Sequence, residues 1–268
     1  MLVDTHCHIN MMVKKTFDTP FTPSELEQAA AIINQAVDNN ITVIINVGTS
    51  LIESKNCIQL ARAYKPVFAV IGIHPNDLTS GWRKDLHELE NLLKKKEENK
   101  IVGVGECGLD FHYPEYNIQQ QRDAFKAQIE MALENDLALV VHTRDAPDET
   151  LRAIEEYKGQ INRGIIHCFS ENFDFAKTVI EWEFAIGIGG TITYPKNNYL
   201  REIVGAINLD SLVLETDAPF LPIQQMRGKQ NHPQYIVNIA EYIAQLRNEA
   251  LQVIAEKTTT TAKRIFKH

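Results

Sequence analysis

The feature that most constrains this chain is a regular alternation of eight short apolar runs with stretches of helical periodicity. The runs fall at 2–6, 41–46, 67–73, 101–106, 137–142, 164–168, 183–188 and 212–216. They are rich in Val, Ile and Leu, so each reads as a strand covered on both faces, as in a parallel sheet. Strands alternating with helices predict an α/β chain, and eight of them predict a closed (β/α)8 TIM barrel rather than an open doubly wound sheet. Such a barrel uses about 250 residues, so the 268 residues present are read as a single domain over 1–268.

The intervening segments carry helix signals. Phe125, Ile129 and Leu133 repeat at i, i+4 and i+8 and predict one helix face over 118–135. Ser24-Glu25-Leu26-Glu27 reads as a capping box before Ala30, Ile33 and Val37, with Asn39-Asn40 as the stop. Pro147 and the acidic residues after it open a helix over 147–157. The 232–257 stretch reads as helical, with a break at Thr258–Thr261 before a short last helix. Lys94-Lys95-Lys96-Glu97-Glu98 reads as a solvated helix end.

Composition narrows the setting. No apolar stretch approaches the roughly 18 residues of a membrane span, and no basic start with an apolar core marks a leader. Four cysteines are too few for a disulfide scaffold in a chain this long, so a reducing, cytoplasmic setting is expected. All four, Cys7, Cys57, Cys107 and Cys168, read as small apolar filler rather than a closed thiolate zinc site. A net charge of −8 argues against binding nucleic acid through the overall field. It leaves room for a small site where metal ions supply the positive charge. Nothing signals oligomerisation or an obligate protein partner, so a monomer is the default expectation.

The chemistry lies at the ends of the runs. His6 and His8 form an H-x-H, which on a strand turns both imidazoles to one face. The fourth run ends in Glu106, the fifth in His142 and the sixth in His167, and the eighth continues into Glu215-Thr216-Asp217. In a parallel barrel these C-terminal ends converge on the face that carries active sites. A lone histidine there is usually a satisfied core residue, but five strands ending this way together point to a metal cluster of His6, His8, Glu106, His142, His167 and Asp217. Alternation places Val102, Val104, Val140 and Val213 inward beneath these residues. Asp4 and Glu215 share that parity and are expected to orient ligands from behind rather than bind metal.

Taken in order, DTHCH at 4–8, GIHP at 72–75, VGECGLD at 104–110, HTRDA at 142–146, HCFS at 167–170 and ETDAPFLP at 215–222 resemble the TatD-type deoxyribonucleases, within the amidohydrolase-like metal-dependent hydrolases. RGK follows at 227–229, and the resemblance spans essentially the whole chain. It implies a (β/α)8 barrel with two divalent metal ions, one held by His6, His8, Glu106 and Asp217 and the other by Glu106, His142 and His167, with Glu106 bridging. It implies that His74, and with it Arg227, contacts a substrate phosphate. Two positions depart from the family pattern. Glu171 stands where HCFSG has glycine, adding acidity near the mouth, and His232 stands where the family has the glutamate of N-E-P. His232 would titrate near neutral pH if it approached the site.

The leading expectation is therefore a deoxyribonuclease that hydrolyses phosphodiesters at DNA ends with a metal-activated water, Asp217 taking its proton and Glu106 joining the ions. Mixed imidazole and carboxylate ligation admits zinc, magnesium or manganese. Phe111, His112, Tyr113 and Tyr194 could stack bases, or pack as lid residues. A metal-dependent hydrolase of a small ester, amide or lactone is the alternative, since Glu106 stands where related enzymes often bridge their metals with a modified lysine. A non-catalytic metal-binding protein would be betrayed by a lost ligand, and none of the six is lost.

Overall fold

The computed structural model describes residues 1–113 and 117–267. Eight parallel strands follow one another around a single sheet in chain order. They are β1 (Leu2–Cys7), β2 (Ile41–Val47), β3 (Val67–Ile71), β4 (Ile101–Asp110), β5 (Ala138–Arg144), β6 (Gly164–Ile166), β7 (Phe184–Ile188) and β8 (Leu212–Leu214). The main helices are α1 (Ile9–Met12), α2 (Pro23–Asp38), α3 (Leu51–Ala63), α4 (Trp82–Leu93), α5 (Ile118–Glu134), α6 (Pro147–Glu155), α7 (Phe173–Glu181), α8 (Asn198–Ala206), α9 (Ile236–Arg247) and α10 (Leu251–Phe266). This is the expected (β/α)8 TIM barrel.

Two apolar clusters build it. Val3, Ile45, Val70, Val102, Val140, Ile165, Ala185 and Val213, one residue from each strand, pack together inside the barrel. Ala262, Ile265 and Phe266 of α10 join that cluster, so the last helix closes the floor. The opposite strand faces and the surrounding helices form the second, larger cluster. Val140 and Val213 lie inside as parity required, but Val104 belongs to the helix-facing cluster. The pairing of β4 shifts register between Ile101 and Gly103 and again between Val104 and Cys107, so strict alternation fails there.

β1 and β8 meet through backbone and side-chain bonds just beyond the strands. The Asp217 N–H donates to the His6 carbonyl at 2.8 Å and the His8 N–H to the Ala218 carbonyl at 2.6 Å. The Thr5 hydroxyl donates to the Leu214 carbonyl at 2.9 Å. Asp4 accepts from the Thr216 N–H at 3.0 Å and its hydroxyl at 2.6 Å. The ends of the barrel sequence are thus stitched together at the level of the candidate site.

Several helix signals shift. α2 begins at Pro23, with Thr22 as its cap and Glu25 closing the capping box. Thr22-Pro23-Ser24-Glu25 satisfies the same pattern two residues earlier and adds proline at the first helical position. Its inward face is Ala29, Ile33 and Ala36, while Val37 is exposed. The break expected at Thr258–Thr261 falls instead at Asn248, which is left-handed and ends α9. The threonines continue α10, with Thr258, Thr260 and Thr261 donating to carbonyls four residues back. Burial of Thr258 and Thr261 outweighs their modest helix propensity. No helix among the described residues is long and apolar enough to cross a membrane.

Candidate metal centre

The six residues read from the strand ends converge at the C-terminal face, and all but the half-buried His142 are buried. Their donors form two sets that share Glu106. On one side, Glu106 Oε2 lies 3.3 Å from His6 Nε2 and 3.7 Å from His8 Nε2. Asp217 Oδ1 lies 3.4 Å from His8 Nε2 and 3.9 Å from His6 Nε2. On the other, Glu106 Oε1 lies 2.8 Å from His142 Nδ1 and 3.1 Å from His167 Nε2.

The outer nitrogens explain why the inner ones point there. His8 Nδ1 donates to the Val47 carbonyl at 2.8 Å, leaving the Nε2 lone pair turned inward. His167 Nδ1 donates to Glu215 Oε1 at 3.1 Å, and the same oxygen accepts the Cys168 N–H at 2.5 Å. Glu215 fits beside these groups because residue 187 is glycine, where a Cβ would collide with its carboxylate. The Asp4 bonds go to the backbone of His6 and to Thr216, not to either imidazole. His6 Nδ1 is buried without a hydrogen-bond partner.

Asp110 is the residue that the sequence reading missed. Its Oδ2 lies 3.2 Å from His142 Nε2 and accepts the Asn76 amide at 2.8 Å. β4 runs four residues past Glu106, pairing Gly108 with His142 and Asp110 with Arg144. Continuing the alternation from Glu106 to position 110 is the signal that could have found it. Gly108 has φ of 148°, and a side chain there would strike the His142 backbone.

Charge is shared unevenly across the cluster. Burial alone would raise the Glu106 carboxyl, but His167, His74 and His142 hold it well below the usual carboxylate range. Burial opposes protonation of His167, yet Glu106 and Glu215 push its affinity for a proton well above the ordinary value. His8 and His142 are likewise raised against burial, by Asp217 and by Asp110 with Glu106. Burial and then His167 lower His6. Burial and the neighbouring His142 bring His74 down to about 3. His74 Nδ1 accepts the Asn76 N–H at 3.1 Å, so the neutral ring carries its proton on Nε2, which lies 3.6 Å from Glu106 Oε1.

These facts test whether the residues suit metal ions. With their outer nitrogens donating, neutral His142 and His167 present lone pairs to a carboxylate oxygen at 2.8 and 3.1 Å. Two acceptors at that distance require a proton or a cation between them. Imidazole nitrogens and carboxylate oxygens are ordinary ligands for divalent ions, and the set fits. Among the described residues no cysteine sulfur belongs to a group able to hold a metal. Cys7, Cys57 and Cys107 are buried filler as expected, but Cys168 lines the cavity. β6 ends at Ile166 and Cys168 is left-handed, so strand alternation no longer applies to it.

The cluster opens into a cavity of about 1000 Å³. Tyr113 and Tyr194 line it, whereas Phe111 packs on the core and His112 is paired with Asp145 at 2.8 Å. Phe17 and Phe220, not singled out from sequence, line it too and are exposed. Arg227 stacks over Tyr194 at 4.6 Å. Glu171 is half-buried near Asp145, and burial raises its carboxyl. His232 does not line the cavity, and burial lowers its proton affinity, so it is no near-neutral switch at the site.

Comparison with known proteins gives the same picture along the full length. The family described as "TatD related DNase" matches residues 3–267. The chain is 32% identical over 267 residues to YabD of Bacillus subtilis, named an uncharacterized metal-dependent hydrolase, covering 100% of this chain and 99% of that one. It is 30% identical over 240 residues to a protein of Escherichia fergusonii named "3'-5' ssDNA/RNA exonuclease TatD", covering 88% and 91% of the two chains. The crystal structure of YjjV, a TatD homologue of Escherichia coli, superposes with a TM-score of 0.88 at 27% identity, covering 100% and 98%. With its barrel and its imidazole–carboxylate cluster, the chain belongs to the TatD family of metal-dependent hydrolases.

Proposed function

We propose that this hydrolase is a two-ion deoxyribonuclease that cleaves phosphodiesters at the ends of single-stranded DNA. The observation that carries the reading is the division of Glu106: Oε2 faces His6 and His8, and Oε1 faces His142 and His167. One carboxylate placed between two donor sets supports a paired-ion site, with His6, His8, Glu106 and Asp217 holding one ion and Glu106, His142 and His167 the other. Zinc, magnesium or manganese suits these donors. Bound there, divalent ions supply Lewis acidity and bring the pKa of water toward neutrality.

The protein groups divide the remaining work. Asp217 keeps some contact with the cavity, and the His8 hydrogen bond and nearby imidazoles hold it ionised against the effect of burial. It accepts the proton of the attacking water. Neutral His74, with its proton on Nε2, donates to a phosphoryl oxygen without adding a charge. Asp110 and Glu215 keep His142 and His167 turned toward Glu106. The exonuclease name of the Escherichia fergusonii relative supports polynucleotide ends as the substrate.

A second reading, a small ester, amide or lactone, is favoured by the apolar lining contributed by Met11, Phe17, Phe220 and Leu221. Metal analysis, paired with end-labelled single- and double-stranded DNA and an ester panel, separates the two. DNA that shortens one nucleotide at a time is the expected result. Ester turnover with no release from DNA would overturn the nuclease reading.

A further inference from the structure

The arginines of this acidic chain are nearly all committed. Of ten, six are ion-paired to a carboxylate and Arg201 is spent on backbone carbonyls. The three left are Arg144, Arg227 and Arg264, and among the described residues none of their guanidinium groups has a hydrogen bond or an ion pair. Arg264 lies in the last turn of α10, which closes the floor. The other two are exposed on the opposite, open face, each over a tyrosine that lines the cavity. Arg144, at the end of β5, lies 5.6 Å from the Tyr113 ring centre, and Arg227, after β8, lies 4.6 Å from that of Tyr194. The Tyr194 hydroxyl is anchored on the Pro222 carbonyl at 2.8 Å.

Stacking steadies a guanidinium while leaving its edge N–H groups free for an anion. Lys196, after β7, is also exposed on the cavity wall and has no ion pair among the described residues. Free cations therefore occupy the arc from β5 to β8. Among the described residues the acidic groups beside these cations are muted: Asp145 is paired with His112, and Glu171 is half-buried outside the lining. The opposite arc, after β1 and β3, presents the exposed carboxylates Asp18 and Asp77 to the same cavity. A chain of phosphates is attracted along one side of the mouth and repelled from the other.

We infer that Arg144, Lys196 and Arg227 form a one-sided phosphate lane that holds the uncut part of a single-stranded nucleic acid, so that only one end of the strand reaches the metal centre. The lane rests on the nuclease reading above and adds to it a direction of exit and the residues that set it. Cleavage at ends follows because the acidic arc leaves no second path for a strand entering and leaving.

The test uses metal-loaded protein and a fluorescent single-stranded oligonucleotide with a phosphorothioate backbone, with binding followed by anisotropy across a salt series. Each phosphate contact on a single strand contributes about 0.7 to the slope of log K against log salt. The R144A/R227A double variant is expected to bind more weakly, with a slope lower by about 1.4, while R144K/R227K regains most of it. Arg264→Ala, at the other end of the barrel, is expected to keep the native slope. A native slope in R144A/R227A, with the unaltered protein binding normally, would sink the lane and leave the nuclease reading standing. Unaltered protein that neither binds nor cuts any oligonucleotide would overturn both.

Discussion

Asp110 Oδ2 lies 3.2 Å from Nε2 of His142, on the side of the ring away from Glu106. The carboxylate is buried and held below its usual range, with burial opposed by the bonds from His142, the His112 N–H and Asn76. It fixes which imidazole nitrogen faces the centre. Asp110→Ala is expected to weaken retention of one ion by about 10–100-fold, the usual cost of losing an outer partner of a metal-bound histidine. Asp110→Asn, which still accepts the N–H, falls between. Chelator competition followed by elemental analysis reads both; retention equal to that of the unaltered protein would remove Asp110 from this role.

Asp217 can be replaced without disturbing the turn it occupies. Its φ is 57°, a left-handed conformation that asparagine tolerates. Asp217→Asn keeps the shape but cannot take a proton, so kcat at saturating metal is expected to fall by about 10²–10⁴. A loss of less than about tenfold would mean that another group is the base.

Metal loading should be both stabilising and pH-dependent. Ions that bind only the folded chain add about 2.7 kcal/mol at a hundred times their Kd, so dialysis against a chelator is expected to lower Tm. His8, His142 and His167 hold protons more tightly than free histidine does. A proton on a ligand nitrogen must leave before an ion binds. Apparent affinity is therefore expected to rise with pH through and above the ordinary histidine range. Calorimetry at several pH values checks this; affinity that is flat or falls with pH contradicts it.

Acid should release the loop between α1 and α2. Buried Glu53 accepts from Lys14 at 2.9 Å, Asn10 at 2.9 Å, Asn56 at 3.0 Å and the Asp18 N–H at 2.7 Å. Burial would raise its carboxyl, but these bonds together hold it below the ordinary value. A carboxyl depressed in the folded state contributes stability above its unfolded pKa and loses it as pH falls through the folded one. The unaltered protein is thus expected to lose Tm below about pH 4.5 more steeply than Glu53→Gln. Lys14→Met, which strands a buried carboxylate, is expected to cost about 3–5 kcal/mol near neutral pH.

The strands were legible because a barrel wall is apolar on both faces, and the six residues of the cluster were legible because they sit where those runs end. What escaped had a physical cause each time. β4 and β5 continue through Gly108, Asp110, Thr143 and Arg144, where backbone pairing persists after the apolar signal has stopped. That hid Asp110. The register shifts in β4 moved Val104 to the helix side. Burial of Thr258 and Thr261 kept α10 intact where local preference suggested a break. The Tyr–Arg stacks join loops far apart in sequence, which no local pattern records.

The seam between β1 and β8 also has a consequence for synthesis. His6 and Asp217 are joined by a backbone bond of 2.8 Å, yet 210 residues lie between them. A nascent chain, however many strands it has laid down, does not bring these two residues together until the eighth has emerged and met the first. The full imidazole–carboxylate cluster is therefore absent from every half-made barrel. A chain still on the ribosome carries the cluster only in pieces until the ring shuts.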